Sequence, residues 1–346
     1  MGRWKSGALA ATMVVAAVLA GCAGPSTPPP PPSPAPAGDG AFPVTVEHAF
    51  GATVVPAAPQ RIVAAGYTEQ DVLLSLGVTP IGVTEWYGEH PSATWPWAQD
   101  ELGDARPEVL SINDGFQYER IAALEPDLIV ATNAGVDQAS YDRLSAIAPT
   151  IAQPAGATAF FSPWDGQTLQ IGRALGKEGA AQEVVDAVKA RFAAVAAEHP
   201  QFAGTPAIFL QAPYYDGAAL AYPEGLSTDF LTSLGFVVPD ALDPFVPADA
   251  DVFGQASIPL EQLGTLNAAD VLIWATEDEQ ARAALEEQAV YRQLTPVREG
   301  HLVFTDAVLA GAIYFTTPLS LPYVLDHLVP LLEKAVAGNP ETVPAP

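Results

Sequence analysis

Cysteine is all but missing from this sequence. One residue, Cys22, stands in a chain of 346, so no disulfide can close within the chain and no site can be built from several thiolates. Basic side chains are scarce too: 14 Lys and Arg stand against 40 Asp and Glu, a formal net charge of -26 at pH 7. A field of that sign repels phosphate backbones and anionic headgroups, which argues against nucleic acid as a partner; its simplest role is to keep an exported chain soluble. The five histidines, His48, His90, His199, His301 and His327, lie far apart with no paired spacing, so a bare-metal site of several imidazoles is not expected. Catalytic signatures are missing as well: there is no Gly-x-Ser-x-Gly elbow, no Walker loop and no zinc-enzyme helix motif. Carboxylate pairs such as Glu277/Glu279 and Glu286/Glu287 read as solvated faces in so acidic a chain. A surface-attached enzyme working through such a pair is the catalytic alternative. Beyond the N-terminus, no stretch reaches the ~18 uninterrupted apolar residues of a membrane span.

The N-terminus accounts for the lone thiol. Arg3 and Lys5 make a basic start, and Ala8 to Leu19 is an apolar run too short to span a bilayer comfortably. Leu19-Ala20-Gly21-Cys22 then supplies small residues before the cysteine, so residues 1–22 read as an export signal. That ending resembles the lipobox of bacterial lipoproteins. The resemblance implies a diacylglyceryl thioether on Cys22 and cleavage just before it, leaving the mature chain anchored to the cell membrane on its extracytoplasmic face. Two acyl chains hold a protein stably where one is marginal. Residues 23–41 follow as a proline-rich tether, with Pro28 to Pro32 continuous. Its expected state is polyproline II, a semi-rigid spacer of roughly 50 Å when extended.

From Phe42 onward, short apolar runs alternate with helical periodicity. Arg61 to Ala65 reads as a buried strand; Thr68 can cap a helix carrying Val72, Leu73, Leu74 and Leu76, which Gly77 ends. The cycle repeats through Thr79 to Thr84, Ile121 to Leu124, Asp127 to Thr132, Tyr141 to Ile147 and Thr150 to Ile151. Such alternation implies an α/β lobe with a mainly parallel sheet. Glu178 to Glu198 then predicts one long helix, with Val184, Val185, Val188, Phe192 and Val195 at helical spacing, stopped by Pro200 and Gly204. A second series follows: strands at Ala207 to Gln211, Asp270 to Thr276 and Leu302 to Thr305, and a helix at Ser227 to Leu234. The run Leu124 to Thr132 is echoed by Leu266 to Thr276. The expected fold is therefore α/β, two Rossmann-like lobes joined by a single long helix: residues 42–177, the helix 178–199, residues 200–335, and a tail 336–346.

Particular words in the chain also resemble a known family. Arg61-Ile62-Val63-Ala64-Ala65-Gly66-Tyr67-Thr68-Glu69-Gln70-Asp71 is similar to the opening strand and helix of the iron-siderophore/cobalamin substrate-binding proteins, the FecB-like group. Ile121-Ala122-Ala123-Leu124-Glu125-Pro126-Asp127-Leu128-Ile129 resembles that family's signature in its first lobe. Arg298-Glu299-Gly300-His301 and Thr317-Pro318-Leu319-Ser320 match its C-terminal part. The resemblance spans Phe42 to Leu332 and is nearest to actinobacterial lipoprotein members. It implies the class III substrate-binding fold, a ligand cleft between two lobes with modest closure, and delivery to an ABC importer. It also implies permease docking through one glutamate on each lobe. Glu277 and Glu279 lie in the expected region of the second lobe, and Asp137 stands where the first-lobe glutamate is usual.

In open α/β sheets, ligands lie beyond the carboxyl ends of the strands. Those positions hold Tyr67, Thr68, Trp86, Tyr87 and Asn133 in the first series, and Tyr214, Tyr215, Tyr222, Trp274 and Tyr314 in the second. Aromatic rings with polar tips suit a bulky organic ligand wrapped around a metal, here an Fe(III)–siderophore complex, with no resident cofactor. No pair of arginines stands in a strand-end loop, so a near-neutral hydroxamate or mixed-ligand complex fits better than a polyanionic tris-catecholate. Haem is the alternative ligand, with Tyr87 or His90 on the iron. The mature protein is expected to act as a monomer. Cys22→Ala should leave the protein in the soluble fraction, and sedimentation with membranes after a high-salt wash would refute the lipid anchor.

Overall fold

The structure is a computed structural model of the chain and describes residues 40–160, 162–248 and 254–344. The export signal, Cys22 and nearly all of the tether lie outside the described residues. The first elements form an antiparallel hairpin, β1 (Val44–His48) and β2 (Gly51–Val55), not anticipated from the sequence. Val44 and Val46 point inward and alternate with exposed Thr45 and Glu47, the period of two that a half-buried strand requires.

The first lobe then runs β3 (Ile62–Ala64), α1 (Glu69–Ser75), β4 (Gly82–Thr84), α2 (Gln99–Leu102), β5 (Glu108–Leu110), α3 (Tyr118–Ala123), β6 (Leu128–Ala131), α4 (Gln138–Ser145) and β7 (Thr150–Ala152). Its sheet has the order β5-β4-β3-β6-β7, all parallel. The central strands β4, β3 and β6 are short and buried on both faces, which explains why they read as continuous apolar runs. Ile62, Leu73, Leu128 and Ile171 pack on one face; Val63, Ile121, Ile129 and Leu144 pack on the other. The order reverses between β3 and β6, so a crevice opens beyond those two strands.

Two helices carry the chain across: α5 (Trp164–Ala174) and α6 (Glu178–Glu198). The long helix has the bounds its periodicity predicted. Ala181, Val185, Val188 and Phe192 make its buried stripe. Ala181 belongs to the core of the first sheet, whereas Val188 and Phe192 belong to that of the second, so one rigid rod is seated in both lobes.

The second lobe contains β8 (Ala207–Tyr215), β9 (Ala218–Tyr222), α7 (Asp229–Thr232), β10 (Ala256–Pro259), β11 (Val271–Ala275), α8 (Glu279–Glu286), α9 (Thr295–Glu299), β12 (Leu302–Phe304), α10 (Ala307–Phe315) and α11 (Ser320–Ala337). Its sheet, β10-β9-β8-β11-β12, is parallel only across β8, β11 and β12; β9 and β10 are antiparallel. The lobes are therefore less alike than the sequence echo suggests. The hairpin between β8 and β9 turns at Asp216-Gly217, both at positive φ (48 and 78°), a turn chemistry that matches the twist of its strands. The tail is also more than a tail. α11 continues to Ala337, and the Asn339 amide donates to the Gly300 carbonyl at 2.7 Å. Gly300 sits at φ +77° where a Cβ would collide with Asn339.

A second tie joins the lobes. Asp71, on α1, is buried, and its carboxylate accepts from the Trp97 indole at 2.7 Å and from the Thr317 hydroxyl at 2.6 Å. Thr317 and Ser320 start α11 by exchanging amide-to-hydroxyl bonds of 2.8 and 2.9 Å. Burial pushes the Asp71 carboxyl up to about 6 against the two hydrogen bonds that lower it, with a small further push from Glu101. Because this pKa lies above the unfolded value of 3.8, the stability it contributes is present below about 4 and lost as pH rises through about 6. The displacement corresponds to about 3 kcal/mol. Asp71→Asn keeps an acceptor for both donors without titrating, so its melting temperature should fall less than the parent's between pH 4 and 7; parallel melting curves across that range would refute the assignment.

Candidate functional site

The crevice beyond β3 and β6 is shaped by a buried polar network. The Glu69 carboxylate accepts from the backbone amides of Thr68 and Asn133 at 3.1 and 2.7 Å, and its burial raises the carboxyl above its usual range. The Thr68 hydroxyl donates to Gln167 on α5 at 3.4 Å and accepts from the Asn133 amide group at 3.1 Å. Gly66 completes the knot, since a Cβ there would stand 2.5 Å from Glu69 and from the Asn133 carbonyl. Thr68 and Asn133 were expected to meet the ligand; both are instead buried and occupied in this network. Thr68 also caps α1 by position only, without a side-chain bond to it. What the network holds in place is Tyr67.

Tyr67 stacks on Trp86 (centroids 5.2 Å) and on Phe160 (5.9 Å). Trp86 meets Tyr87 edge-on at 5.0 Å and Phe315 of the second lobe at 4.6 Å. Opposite stand Phe209 and Tyr222, stacked at 5.0 Å, with Phe230 and Tyr314 beside them. Between these walls lies a cleft of about 860 Å³. Tyr67, Trp86, Tyr87, Tyr222 and Tyr314, all anticipated, line it. Burial raises the Tyr87 hydroxyl, with smaller contributions from Glu277 and Tyr222, and raises that of Tyr314 as well; both stay protonated and able to donate. The Tyr87 oxygen is buried and has no hydrogen-bond partner among the described residues.

Three anticipated aromatics lie elsewhere. Trp274, fully buried, points to the far side of its sheet, where it packs edge-on against Tyr214 (6.0 Å) and Tyr291 (5.9 Å). The cause is strand alternation: Phe209 and Gln211 of β8 face the cleft, so Leu210, Ala212 and Tyr214 face away. Tyr215 follows a register shift in β8 and is 40% exposed, its hydroxyl donating to the Ala212 carbonyl at 3.2 Å. Both tyrosines lie within the strand rather than after it, because β8 is longer than expected.

The acidic residues also separate. Glu277, expected at a docking surface, is exposed and also lines the cleft. Glu279 is exposed in the first turn of α8, and Asp137 is exposed at the N-cap of α4. The Asp137 carboxylate accepts from Ser140 at 2.7 Å, and Ser140 holds its carboxyl below the usual range. His90 is absent from the cleft lining and packs on Trp95 at 4.2 Å, so the haem alternative loses its imidazole. No group of three or more His, Cys, Asp or Glu among the described residues could hold a metal ion. Lining residues not anticipated include Trp164, Asp165, Lys189, Phe192, Asp229 and Phe230. Lys189, Phe192 and Ala193 share a face of α6 at helical spacing, a signal legible in the sequence once that helix is known to cross the cleft.

Two α/β lobes on one helical rod, with an aromatic cleft where both sheets end, are the architecture of a two-lobed binding protein. The chain belongs to the periplasmic binding protein family, whose sequence profile matches residues 62–309. A periplasmic solute binding protein from Mycobacterium smegmatis is 47% identical and superposes with a TM-score of 0.79 over 85% of this chain and 98% of that one. PiaA of Streptococcus pneumoniae, solved in complex with ferrichrome, is 26% identical with a TM-score of 0.71, over 85% of this chain and 99% of that one. The putative ABC transporter substrate-binding lipoprotein YhfQ of Bacillus subtilis is 27% identical over 282 residues, 76% of this chain and 81% of that protein.

Truncating a desolvated aromatic anchor costs more than ~2 kcal/mol, or roughly thirtyfold in affinity. Trp86→Ala should therefore weaken binding of a ferric siderophore by about that factor, whereas Tyr215→Ala should change it less than about twofold. Titrating both variants, with circular dichroism to check folding, tests the placement. Equal losses would put Tyr215 back in the cleft.

Proposed function

We propose that this protein is a lipid-anchored, extracytoplasmic binding protein that holds a ferric siderophore in its cleft and passes it to an ABC importer, with no catalytic step of its own. The observation that carries this reading is the cleft itself: about 860 Å³, walled by Tyr67, Trp86, Tyr87, Phe209, Tyr222 and Tyr314. That volume lies within the range of organic-ligand sites, and rings tipped with hydroxyls can cover an organic shell while donating to its oxygens. The ferrichrome complex of PiaA and the lipoprotein name of YhfQ support it from outside the chain. No histidine or cysteine occurs among the described lining residues.

The anchor rests on Cys22 and the residues before it. No helix among the described residues is long and apolar enough to cross a membrane. In this reading Asp137 and Glu279, exposed at the starts of α4 and α8, meet the permease, and Glu277 serves the cleft. The lobes bind as a monomer and carry no cofactor besides the cargo.

Trp86 and Trp164 both line the cleft and report on it. Titrating the lipid-free Cys22→Ala protein with a ferric hydroxamate, a ferric tris-catecholate, cobalamin and haem should give saturable quenching with a ferric siderophore and no turnover. A response confined to haem or cobalamin, or conversion of the ligand, would overturn the reading.

A further inference from the structure

The charges in the cleft do not balance. Lys189 is the single cation among the described lining residues, and its ammonium already lies 2.6 Å from the Asp165 carboxylate. Asp229 on α7 and Glu277 after β11 face the same space from the second lobe, and neither has an ion-pair partner among the described residues. Partial burial, then the neighbouring Asp165 and Glu224, push the Asp229 carboxyl above its usual range, as befits a negative charge without a counterion. Glu277 stands near enough to the hydroxyls of Tyr87 and Tyr314 to oppose their ionisation. The rest of the lining is ring faces, aliphatic side chains and neutral polar groups, and ring faces also attract cations rather than anions.

This balance bears on what the iron brings with it. Three hydroxamates supply three negative charges to Fe(III) and leave a neutral centre, and a pendant ammonium makes the whole complex cationic. Three catecholates supply six and leave a trianion. A trianion would enter a cleft with two uncompensated carboxylates and, among the described lining residues, no arginine to receive it.

On the reading that the cleft is a ferric-siderophore site, we propose that it selects its ligand by charge. The preferred cargo is a ferric hydroxamate-type complex bearing a protonated amine that lies against Asp229 and Glu277, and polyanionic complexes are rejected. The acidic pair is a specificity determinant; ring contact supplies the bulk of the affinity.

The test uses two ferric trihydroxamates with the same iron shell, ferrioxamine B with its free amine and its N-acetylated form, together with a ferric tris-catecholate. Each is titrated by tryptophan quenching against the lipid-free Cys22→Ala protein. The amine form should bind about fivefold or more tightly than the acetylated form at low salt, and the ratio should shrink at about 0.5 M salt as exposed charges are screened. In an Asp229→Asn, Glu277→Gln double variant, and partly in Glu277→Gln alone, the ratio should fall toward one. The tris-catecholate should bind weakest. A ratio of one in the parent, an unchanged ratio in the double variant, or tightest binding of the tris-catecholate would each overturn charge selection. Charge-blind binding of all three chelates would do so while leaving the siderophore reading intact; no response to any ferric chelate would end both.

Discussion

The cleft exists because two sheets are held with their carboxyl ends toward one space, and two unlike ties hold them. One is α6, whose first turns belong to one lobe's core and whose later turns belong to the other's. The second is Asp71, buried between α1 and the start of α11, with Trp97 and Thr317 as its donors. A buried carboxylate is expensive unless its acceptor sites are met, so this tie is stable only when both lobes are in place. Around it the rings form a wedge: Trp95 stacks on Trp97 at 4.9 Å and both touch Phe315. Gly311 admits the Trp95 ring where any Cβ would collide with it. Wide opening of the lobes would strip Asp71 of Thr317 and expose this wedge, so the geometry favours small movements about a preformed cleft.

The same arrangement explains the division of labour near the ligand. Thr68, Glu69, Thr132, Asn133 and Gln167 are polar residues at the mouth of a binding crevice, yet they are turned into the protein. Their hydrogen bonds stitch the ends of β3 and β6 to α5, and they leave Tyr67 as the side chain that reaches out. Pre-organisation of this kind lowers the ordering cost of binding, because the aromatic wall is assembled before the ligand arrives.

Much of the scaffold was legible from periodicity. The crossing helix, the parallel first sheet and the central strands of the second show in the sequence because buried strands and amphipathic helices leave unlike hydrophobic rhythms. The β8–β9 hairpin was missed although Asp216-Gly217 marks it, because Tyr214 and Tyr215 resemble strand-end ligand residues and masked a strand still running. Position beyond a strand was a good guide to Tyr67, Trp86 and Tyr87. It was a poor guide to Trp274, because the face a strand residue takes depends on its parity, and one step along the chain reverses it. Lys189 and Asp229 could not be found by strand-end reasoning at all. They sit on helices that border the cleft only once the tertiary fold is made.

Glu277, Asp278 and Glu279 show how finely this limit cuts. In the sequence they are three consecutive acids in an acidic chain. In the fold all three are exposed, but Glu277 lines the cleft, Asp278 caps α8 by accepting from the Ala281 amide at 2.8 Å, and Glu279 stands in the helix's first turn. A carboxylate at an N-cap satisfies an orphan amide, and one in the first turn lies favourably in the helix dipole. Glu277 precedes the N-cap, and no capping bond or ion pair is made by its side chain among the described residues. A charge kept in a ligand cleft without a structural partner is a charge available to the ligand, and this is what separates Glu277 from its neighbours.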